Sequence, residues 1–339
     1  MNEKNPIIKI EDLSVDFPVR GAFIFSKKKY IQAVTDVDLE IYSGETFGIV
    51  GESGCGKSTL ANAMIGMVTP TKGKVIFKDK DLFALPRNEF KELRRDMQMI
   101  FQDPFSSLNP RFSVYQIISE PMLIRGGYTK KEMEDRVIEL LKLVGLSEKD
   151  LDRYPSDFSG GQKQRIGIAR AICLDPDFLI CDEPVSALDV SVHAQILNLL
   201  IDLQDKLGMT YVFISHNLAV VKNVCQRILV MYLGKAMETG STKAIYKNPK
   251  HPYTVALLSA ILDLDIKRDK VILKGEIPSP IDPPKGCRFH QRCPKAMVGC
   301  KDVQPELLKV EEDHYVACHL YSGFTEEEKA LGYDKPCAE

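Results

Sequence analysis

The sequence predicts an α/β fold, a largely parallel sheet covered by helices, and three observations carry that expectation. Short apolar runs alternate with amphipathic helical patterns up to about residue 250. A glycine-rich stretch ending in Lys-Ser sits between one such run and one such helix. The 339 residues are 44% hydrophobic and 27% charged, which suits an ordinary globular chain and excludes a disordered or collagen-like one. With 45 Lys+Arg against 47 Asp+Glu the formal net charge is -2, so a dedicated nucleic-acid binder, which needs a basic excess, is not expected.

Taken in order, Ile31 to Ile41 alternates apolar and polar residues, which predicts a half-buried strand with Ala33, Val37 and Leu39 on one side. Thr46 to Val50 is a short apolar run ending at Gly51, as a buried strand does, and Lys57 to Met67 has helical spacing. Met97 to Phe101, Phe178 to Cys181, Thr210 to Ile214 and Arg227 to Tyr232 are further strand-like runs. Helical patterns cover Val114 to Arg125, Lys130 to Leu143, Gln162 to Leu174, Val190 to Lys206 and Tyr253 to Ile261. Buried strands separated by helices imply parallel pairing. The stretch Pro278 to Pro284 reads as a stiff extended connector, and a boundary is expected near residue 265. No internal repeat is visible. The start, Met1 to Pro6, lacks the apolar stretch of a signal peptide, and no apolar run approaches the roughly 18–20 residues of a membrane helix, so a cytosolic chain is expected.

Gly51-Glu-Ser-Gly-Cys-Gly-Lys-Ser58 fits G-x-x-x-x-G-K-[ST] in the strand-to-helix context that the motif requires. Gly51, Gly54 and Gly56 let backbone N–H groups of the loop, with Ser53 and Cys55, turn inward as an anion nest. The following helix adds the positive end of its dipole. Lys57 reaches the β- and γ-phosphates, Ser58 offers a hydroxyl to Mg²⁺, and Thr59 donates on the α-phosphate side. Phe178-Leu-Ile-Cys-Asp-Glu183 is an apolar strand ending in two carboxylates. Asp182 is placed to hold Mg²⁺ through water, and Glu183 to take a proton from, or orient, the attacking water. Acidic residues also cap ordinary strand ends, so this pair alone would leave the matter open. Phe158-Ser-Gly-Gly-Gln162 precedes a helix carrying Lys163, Arg165 and Arg170. Ser159 as cap, with Gly160, Gly161 and Gln162 at the helix start, makes a second anion site. Two such sites in one chain are reconciled by a head-to-tail pair of subunits.

This set of motifs resembles the ATP-binding cassette of ABC transporters. Gly51–Ser58 resembles Walker A, Phe178–Asp182 Walker B, and Phe158–Gln162 the signature motif with Phe for the usual Leu. Gln102 resembles the Q-loop glutamine, Ser186-Ala-Leu-Asp189 the D-loop, and His216 the switch histidine. The resemblance implies a P-loop NTPase with a RecA-like core, an antiparallel β subdomain and a helical subdomain about 103–174, all within residues 1–265. A small cysteine-rich tail, 266–339, follows. It also implies that two subunits sandwich two ATP molecules, Walker A of one facing Ser159–Gln162 of the other. Glu183, His216 and Gln102 would be catalytic, with Ser58, Gln102 and Asp182 around Mg²⁺ and Asp189 linking the two sites. Phe17 is the match for the adenine platform, with Tyr30 its competitor.

Ile100 to Arg111, Cys181 to Val190, His251-Pro-Tyr-Thr254 and Gly275 to Pro280 further resemble the F-type ATPase subunit of dipeptide/oligopeptide importers. That resemblance implies a second, different ATPase subunit, two transmembrane permease subunits and an extracytoplasmic peptide-binding protein. The chain would sit peripherally on the cytoplasmic face of the membrane, and nickel or glutathione is the alternative cargo. A soluble ABC ATPase outside transport is the alternative of another class; such proteins carry two cassettes or a long coiled-coil insertion, and neither pattern is present here.

Nine cysteines split unevenly, four within the first 225 residues and five after residue 286. Cys55, Cys173, Cys181 and Cys225 read as small apolar fillers. Cys287, Cys293, Cys300 and Cys318 lie within 32 residues, too widely spaced for zinc knuckles, which keeps an iron–sulfur cluster ahead of zinc or no metal. The importer resemblance implies a 4Fe–4S cluster. His290, His314 and His319 are alternative ligands read as surface or supporting residues, and Cys337 as a free terminal thiol. The expected role is a staple for a tail whose own core is too small. Lys27-Lys-Lys29 reads as a solvated loop.

Overall fold

The computed structural model describes residues 5–19, 28–103, 107–260 and 271–337. Lys27, residues 104–106 of the importer-like stretch, Ile261 and the boundary expected near 265 lie outside the described residues. In chain order the first elements are β1 (Pro6–Val19), β2 (Lys29–Tyr42), β3 (Thr46–Val50), α1 (Lys57–Met64), β4 (Lys72–Phe77) and β5 (Lys80–Asp81). Next come α2 (Arg87–Leu93), β6 (Met97–Ile100), α3 (Val114–Arg125), α4 (Lys130–Leu143), α5 (Gly160–Ala171), β7 (Phe178–Asp182), α6 (Val190–Leu207) and β8 (Thr210–Ile214). The chain continues through α7 (Leu218–Val224), β9 (Arg227–Tyr232), β10 (Lys235–Ser241), α8 (Thr242–Lys247) and α9 (Pro252–Ser259). It closes with β11 (Leu308–Glu311), β12 (His314–Val316), α10 (His319–Ser322) and α11 (Glu326–Ala330). These elements form two compact units, one built from Tyr42–Thr46 and Ala84–Ile214, the other from Pro6–Ile41, Phe47–Phe83 and Ser215–Glu339.

In the unit containing Ala84–Ile214, β6, β7 and β8 pair in parallel, with Met97 opposite Phe178 and Phe178 opposite Thr210. Every side chain of β7 and β8 is buried, which is why these strands read as continuous apolar runs rather than alternating ones. Phe178 and Phe213 are fully buried, each contributing roughly 1.5–3 kcal/mol of transfer free energy. Helices α3, α4 and α5 each begin with a reciprocal capping box, Ser113/Gln116, Thr129/Glu132 and Ser159/Gln162. The 18-residue α6 ends at Gly208, whose left-handed backbone (φ 67°) closes the helix.

The other unit holds two sheets. One runs β2-β1-β4-β5 and is absent from the sequence expectation apart from β2. Strands β1 and β2 hide their alternation because each carries a left-handed aspartate, Asp12 (φ 48°) in β1 and Asp36 (φ 44°) in β2. Beyond each, the buried face changes phase: Ile8 and Ile10 give way to Leu13 and Val15, and Val34 to Val37, Leu39 and Ile41. The expected buried residue Ala33 is therefore corrected to Val34. The two irregularities lock together, since Asp36 N donates to Ser14 Oγ at 3.0 Å and Lys72 Nζ lies 2.8 Å from Asp12 and 3.4 Å from Asp36. The second sheet of this unit pairs β3 with β9 in parallel, Phe47 opposite Arg227, and continues antiparallel through β10 and β12 to β11. The β9–β10 hairpin turns through Leu233 (φ 45°) and Gly234 (φ 80°), the conformation of a tight primed turn.

Residues after 280 are built onto the strands of this unit. Strands β11 and β12 extend the sheet at β10, with Glu238 opposite Val316. Phe289 is fully buried, its ring 5.3 Å from Tyr232, 5.2 Å from Tyr253 and 5.6 Å from His251. Arg288 donates to Leu233 O, to Gln32 Oε1 (2.6 Å) and to Thr35 Oγ1 (3.0 Å), and the connector is tied to β2 where Gln32 N donates to Pro280 O at 2.9 Å. Among the described residues, no helix is long and apolar enough to cross a membrane.

Candidate functional site

The glycine-rich loop leaves the fully buried β3 and enters α1 through three glycines in the positive-φ region, Gly51 (154°), Gly54 (77°) and Gly56 (104°). A Cβ on Gly56 would stand 2.1 Å from Ala33 O, and one on Gly51 2.2 Å from Met231 O. The loop thus lies directly on the backbones of β2 and β9, a closeness only glycine permits. The first N–H groups of α1 have no side-chain cap, which leaves the helix start to an anion. Lys57 is 6% exposed, and its ammonium donates to Gly51 O and Glu52 O, both at 2.9 Å. Cys55 is buried with its Sγ 3.8 Å from Lys57 Nζ, and burial pushes its thiol up. Ser53, Gly54 and Ser58 are exposed and Thr59 is half-buried. In the same unit His216 is exposed just after Ser215, whose N donates to Ile49 O at 3.3 Å. Asn217 then caps α7. Phe17 on β1 and Tyr30 on β2 are 38% and 43% exposed.

In the other unit β7 ends at the buried Asp182, and Glu183 follows in a left-handed conformation (φ 45°). That conformation costs a non-glycine residue roughly 1–2 kcal/mol and is held by Glu183 N donating to Ile214 O at 3.0 Å. Gln102 Nε2 donates to Glu183 Oε2 at 2.8 Å, so two residues 81 apart in sequence form one pair. Ser186 closes the turn on Glu183 O, and Asp189 is exposed at the start of α6.

At α5, Ser159 Oγ accepts from Gln162 N at 3.4 Å and Gln162 Oε1 accepts from Ser159 N at 3.0 Å. Gly160 and Gly161 form the first turn, and a Cβ on Gly161 would meet Val192 Cγ1 at 2.6 Å. Phe158 is buried under the Arg153 guanidinium, 4.4 Å from its ring. Two basic residues of α5 are engaged within the unit: Arg165 donates to Val144 O at 2.6 Å and Arg170 to Ser107 O at 2.7 Å. They satisfy helix and loop carbonyls rather than adding charge at the helix start.

Cys55, Cys173, Cys181 and Cys225 are buried, as small apolar fillers are. Burial pushes Cys287 up to about 12 and Cys293 and Cys318 to about 11, and raises Cys300. Two of the four sulfurs accept a backbone N–H, Cys293 from Lys295 and Cys300 from Met297, both at 3.4 Å. Their thiolates oppose one another, Cys287 against Cys300, Cys318 and Cys293. Cys337, expected to be a free terminal thiol, is free and exposed, and its charge would raise Cys293 and Cys300. Among the described residues, no group of three or more His, Cys, Asp or Glu is placed to hold a metal ion. His314 is not a surface residue: it is fully buried, with Nε2 2.6 Å from Glu238 Oε1. His319 Nε2 lies 2.9 Å from Val303 O, and His290 Nδ1 lies 2.7 Å from Cys287 O.

Sequence reasoning missed the partners of Glu52. Tyr253 Oη accepts from Glu52 N at 2.9 Å, and Arg292 is paired with its carboxylate. No local pattern signals a contact across 240 positions.

The chain thus carries a glycine-rich loop between strand and helix, a strained glutamate at a strand end and a glycine-rich capped helix. Residues 34–186 match the ABC transporter family, and residues 237–300 match the C-terminal region of oligopeptide/dipeptide transporters. The oligopeptide transport ATP-binding protein AppF of Bacillus subtilis is 49% identical over 321 residues, 93% of this chain and 98% of that one. The oligopeptide transport ATP-binding protein OppF of Salmonella typhimurium is 49% identical over 325 residues, 94% and 97% of the two chains. Among solved structures, a cassette dimer bound to ADP and Pi after hydrolysis superposes with a TM-score of 0.61 at 29% identity, covering 69% of this chain and 98% of that one. A subunit of the cbiONQ transporter complex from Clostridium perfringens gives 0.62 at 30%, covering 72% and 92%. The chain belongs to the ABC transporter family, as an ATP-binding subunit of the oligopeptide/dipeptide importer branch.

Proposed function

We propose that this chain binds and hydrolyses ATP to drive import of dipeptides or oligopeptides through a membrane permease. The observation that carries the cargo is the joining, in one chain, of the cassette at 34–186 to the oligopeptide/dipeptide C-terminal region at 237–300. Gly51–Thr59 would wrap the phosphates, with Lys57 exchanging its two loop carbonyls for phosphate oxygens. Mg²⁺, assigned to Ser58, Gln102 and Asp182, would neutralise phosphate charge. Glu183 would take the proton of the attacking water as ADP and phosphate form. Its hydrogen bond to Gln102 supports this by aiming the carboxylate and tying it to the residue that reports nucleotide occupancy. His216 is assigned to the γ-phosphate, Phe17 to adenine, and Ser159–Gln162 with Asp189 to the nucleotide on a facing subunit.

The assembly we propose is a heterodimer with a second ATPase subunit, two transmembrane permeases and an extracytoplasmic peptide-binding protein, with this chain on the cytoplasmic face. Residues 266–339 form its C-terminal tail, in which Cys287, Cys293, Cys300 and Cys318 hold a 4Fe–4S cluster. The donor chemistry supports the cluster, since four cysteines fall within one short segment and backbone N–H groups donate to two of their sulfurs, Cys293 and Cys300. A cubane is also much larger than a single ion, so its ligands need not converge on one point. When bound, it would supply the positive charge that keeps those thiols ionised.

The test is uptake of labelled di- and oligopeptides in cells lacking this subunit, complemented with wild type or Glu183→Gln, with nickel and glutathione as competing cargoes. Peptide uptake restored by wild type alone is expected. Restored nickel or glutathione uptake would overturn the cargo, and no restored uptake with partners present would overturn the transport reading. Iron and acid-labile sulfide in anaerobically purified protein, lost on Cys293→Ser, test the cluster; their absence from wild type would reject it.

A further inference from the structure

Arg292 of the tail reaches the phosphate loop. Arg292 ends a single 3-10 turn, His290–Arg292, directly before Cys293. Its guanidinium grips Glu52 with both prongs, Nη1 2.6 Å from Oε2 and Nη2 3.1 Å from Oε1. The Arg292 side chain is 9% exposed and that of Glu52 26%, so the pair is largely withdrawn from solvent. Glu52 is the second residue of the loop, and its other two polar groups are also engaged. Its N–H donates to Tyr253 Oη at 2.9 Å, and its carbonyl accepts from Lys57 Nζ at 2.9 Å. Arg292 lies over the Tyr232 ring at 5.7 Å, and its N–H donates to Phe289 O at 2.9 Å. The buried Phe289 therefore fixes where the guanidinium stands.

We infer that Arg292 is a positioning residue for nucleotide binding, through which the tail sets the affinity of the phosphate loop for ATP. Two effects act in the same direction. The two-pronged pair holds the loop backbone in place before the phosphates arrive, which lowers the ordering cost of binding. It also cancels a carboxylate that would otherwise repel the incoming phosphates in a site of low solvent access. The second effect gives the inference a sign that a merely structural contact lacks: removing Arg292 should harm binding chiefly while Glu52 keeps its charge. The inference rests on reading Gly51–Ser58 as the phosphate loop.

The experiment measures the Kd of the fluorescent nucleotide mant-ATP, and KM and kcat for ATP, on the full chain. Arg292→Met is expected to raise Kd and KM about ten-fold, the scale of one unpaired, partly buried carboxylate, with kcat at saturating ATP held within about two-fold. Adding Glu52→Gln to Arg292→Met is expected to recover most of that loss. Arg292→Lys, which keeps the charge without the fork, is expected to raise Kd less, and it takes over the test if Arg292→Met does not fold. Wild-type affinity in both Arg292 variants would overturn the inference, and so would a double variant no better than Arg292→Met. Lys57→Ala separates the two readings. If it binds mant-ATP as wild type does, the phosphate-loop reading fails; if it loses binding while the Arg292 variants do not, only the role of Arg292 fails.

Discussion

His251 should make the fold acid-sensitive well above the carboxylate range. The side chain is buried at the start of α9, where Nδ1 accepts from Tyr253 N at 3.0 Å. Burial pushes its pKa from 6.5 down to about 4, against the opposing pull of the Glu238 carboxylate. Protonation at Nδ1 would also turn the cap acceptor into a donor facing the Tyr253 N–H. The unfolded chain takes a proton near pH 6.5 that the native protein refuses until about pH 4, so stability falls as the pH drops through that window. At 1.36 kcal/mol per pH unit, the 2.5-unit difference amounts to about 3 kcal/mol in full, of which about 2 kcal/mol is lost between pH 7.5 and pH 5. Urea unfolding followed by circular dichroism at those two pH values measures it. His251→Asn keeps a cap acceptor, removes the titration and should flatten the pH response by about 2 kcal/mol, although the smaller side chain lowers stability at pH 7.5. An equal pH response in variant and wild type would refute the assignment of His251.

Three further outcomes are expected. Glu183→Gln should keep ATP binding and lose hydrolysis by at least about a hundred-fold, the lower bound for removing a general base; unchanged turnover would remove Glu183 from that role. Gly56→Ala places a methyl group 2.1 Å from Ala33 O at a φ of 104°, so the loop or β2 must shift. ATP affinity should fall at least about ten-fold, with roughly 1–2 kcal/mol of stability lost to the left-handed backbone, and isothermal titration at wild-type values would contradict that geometry. Phe289→Ala empties a fully buried site among Tyr232, Tyr253 and His251 and should cost about 3–5 kcal/mol, freeing the tail for limited proteolysis; a tail as protease-resistant as wild type would show that contacts other than Phe289 hold it.

The strands β3, β7, β8 and β9 were legible because each is buried on both faces, so its apolar run is unbroken in sequence. The helices α3 and α4 were legible to the residue because capping boxes and periodicity mark their ends. The sheet of β1, β2, β4 and β5 was not, apart from a misphased β2. A single left-handed aspartate shifts the alternation by one residue, and no neighbouring residue announces it. The partners of the α5 arginines were hidden for a related reason: charge is visible in a sequence, whereas the carbonyls that capture Arg165 and Arg170 come from Val144 and Ser107.

The backbone shape of the loop could be read from eight consecutive residues because its requirements are local. Positive φ at Gly51, Gly54 and Gly56, a strand before and a helix after are demands on neighbouring backbone, and neighbouring residue types answer them. Which surface supports that loop is decided by contacts between residues far apart in the chain. The Gln102–Glu183 bond, the grip of Arg292 on Glu52 and the docking of Phe289 against Tyr232 and Tyr253 each join distant positions. Such pairings leave no periodic trace, since each depends on where folding brings two surfaces together, and they exist only once the tertiary structure has formed.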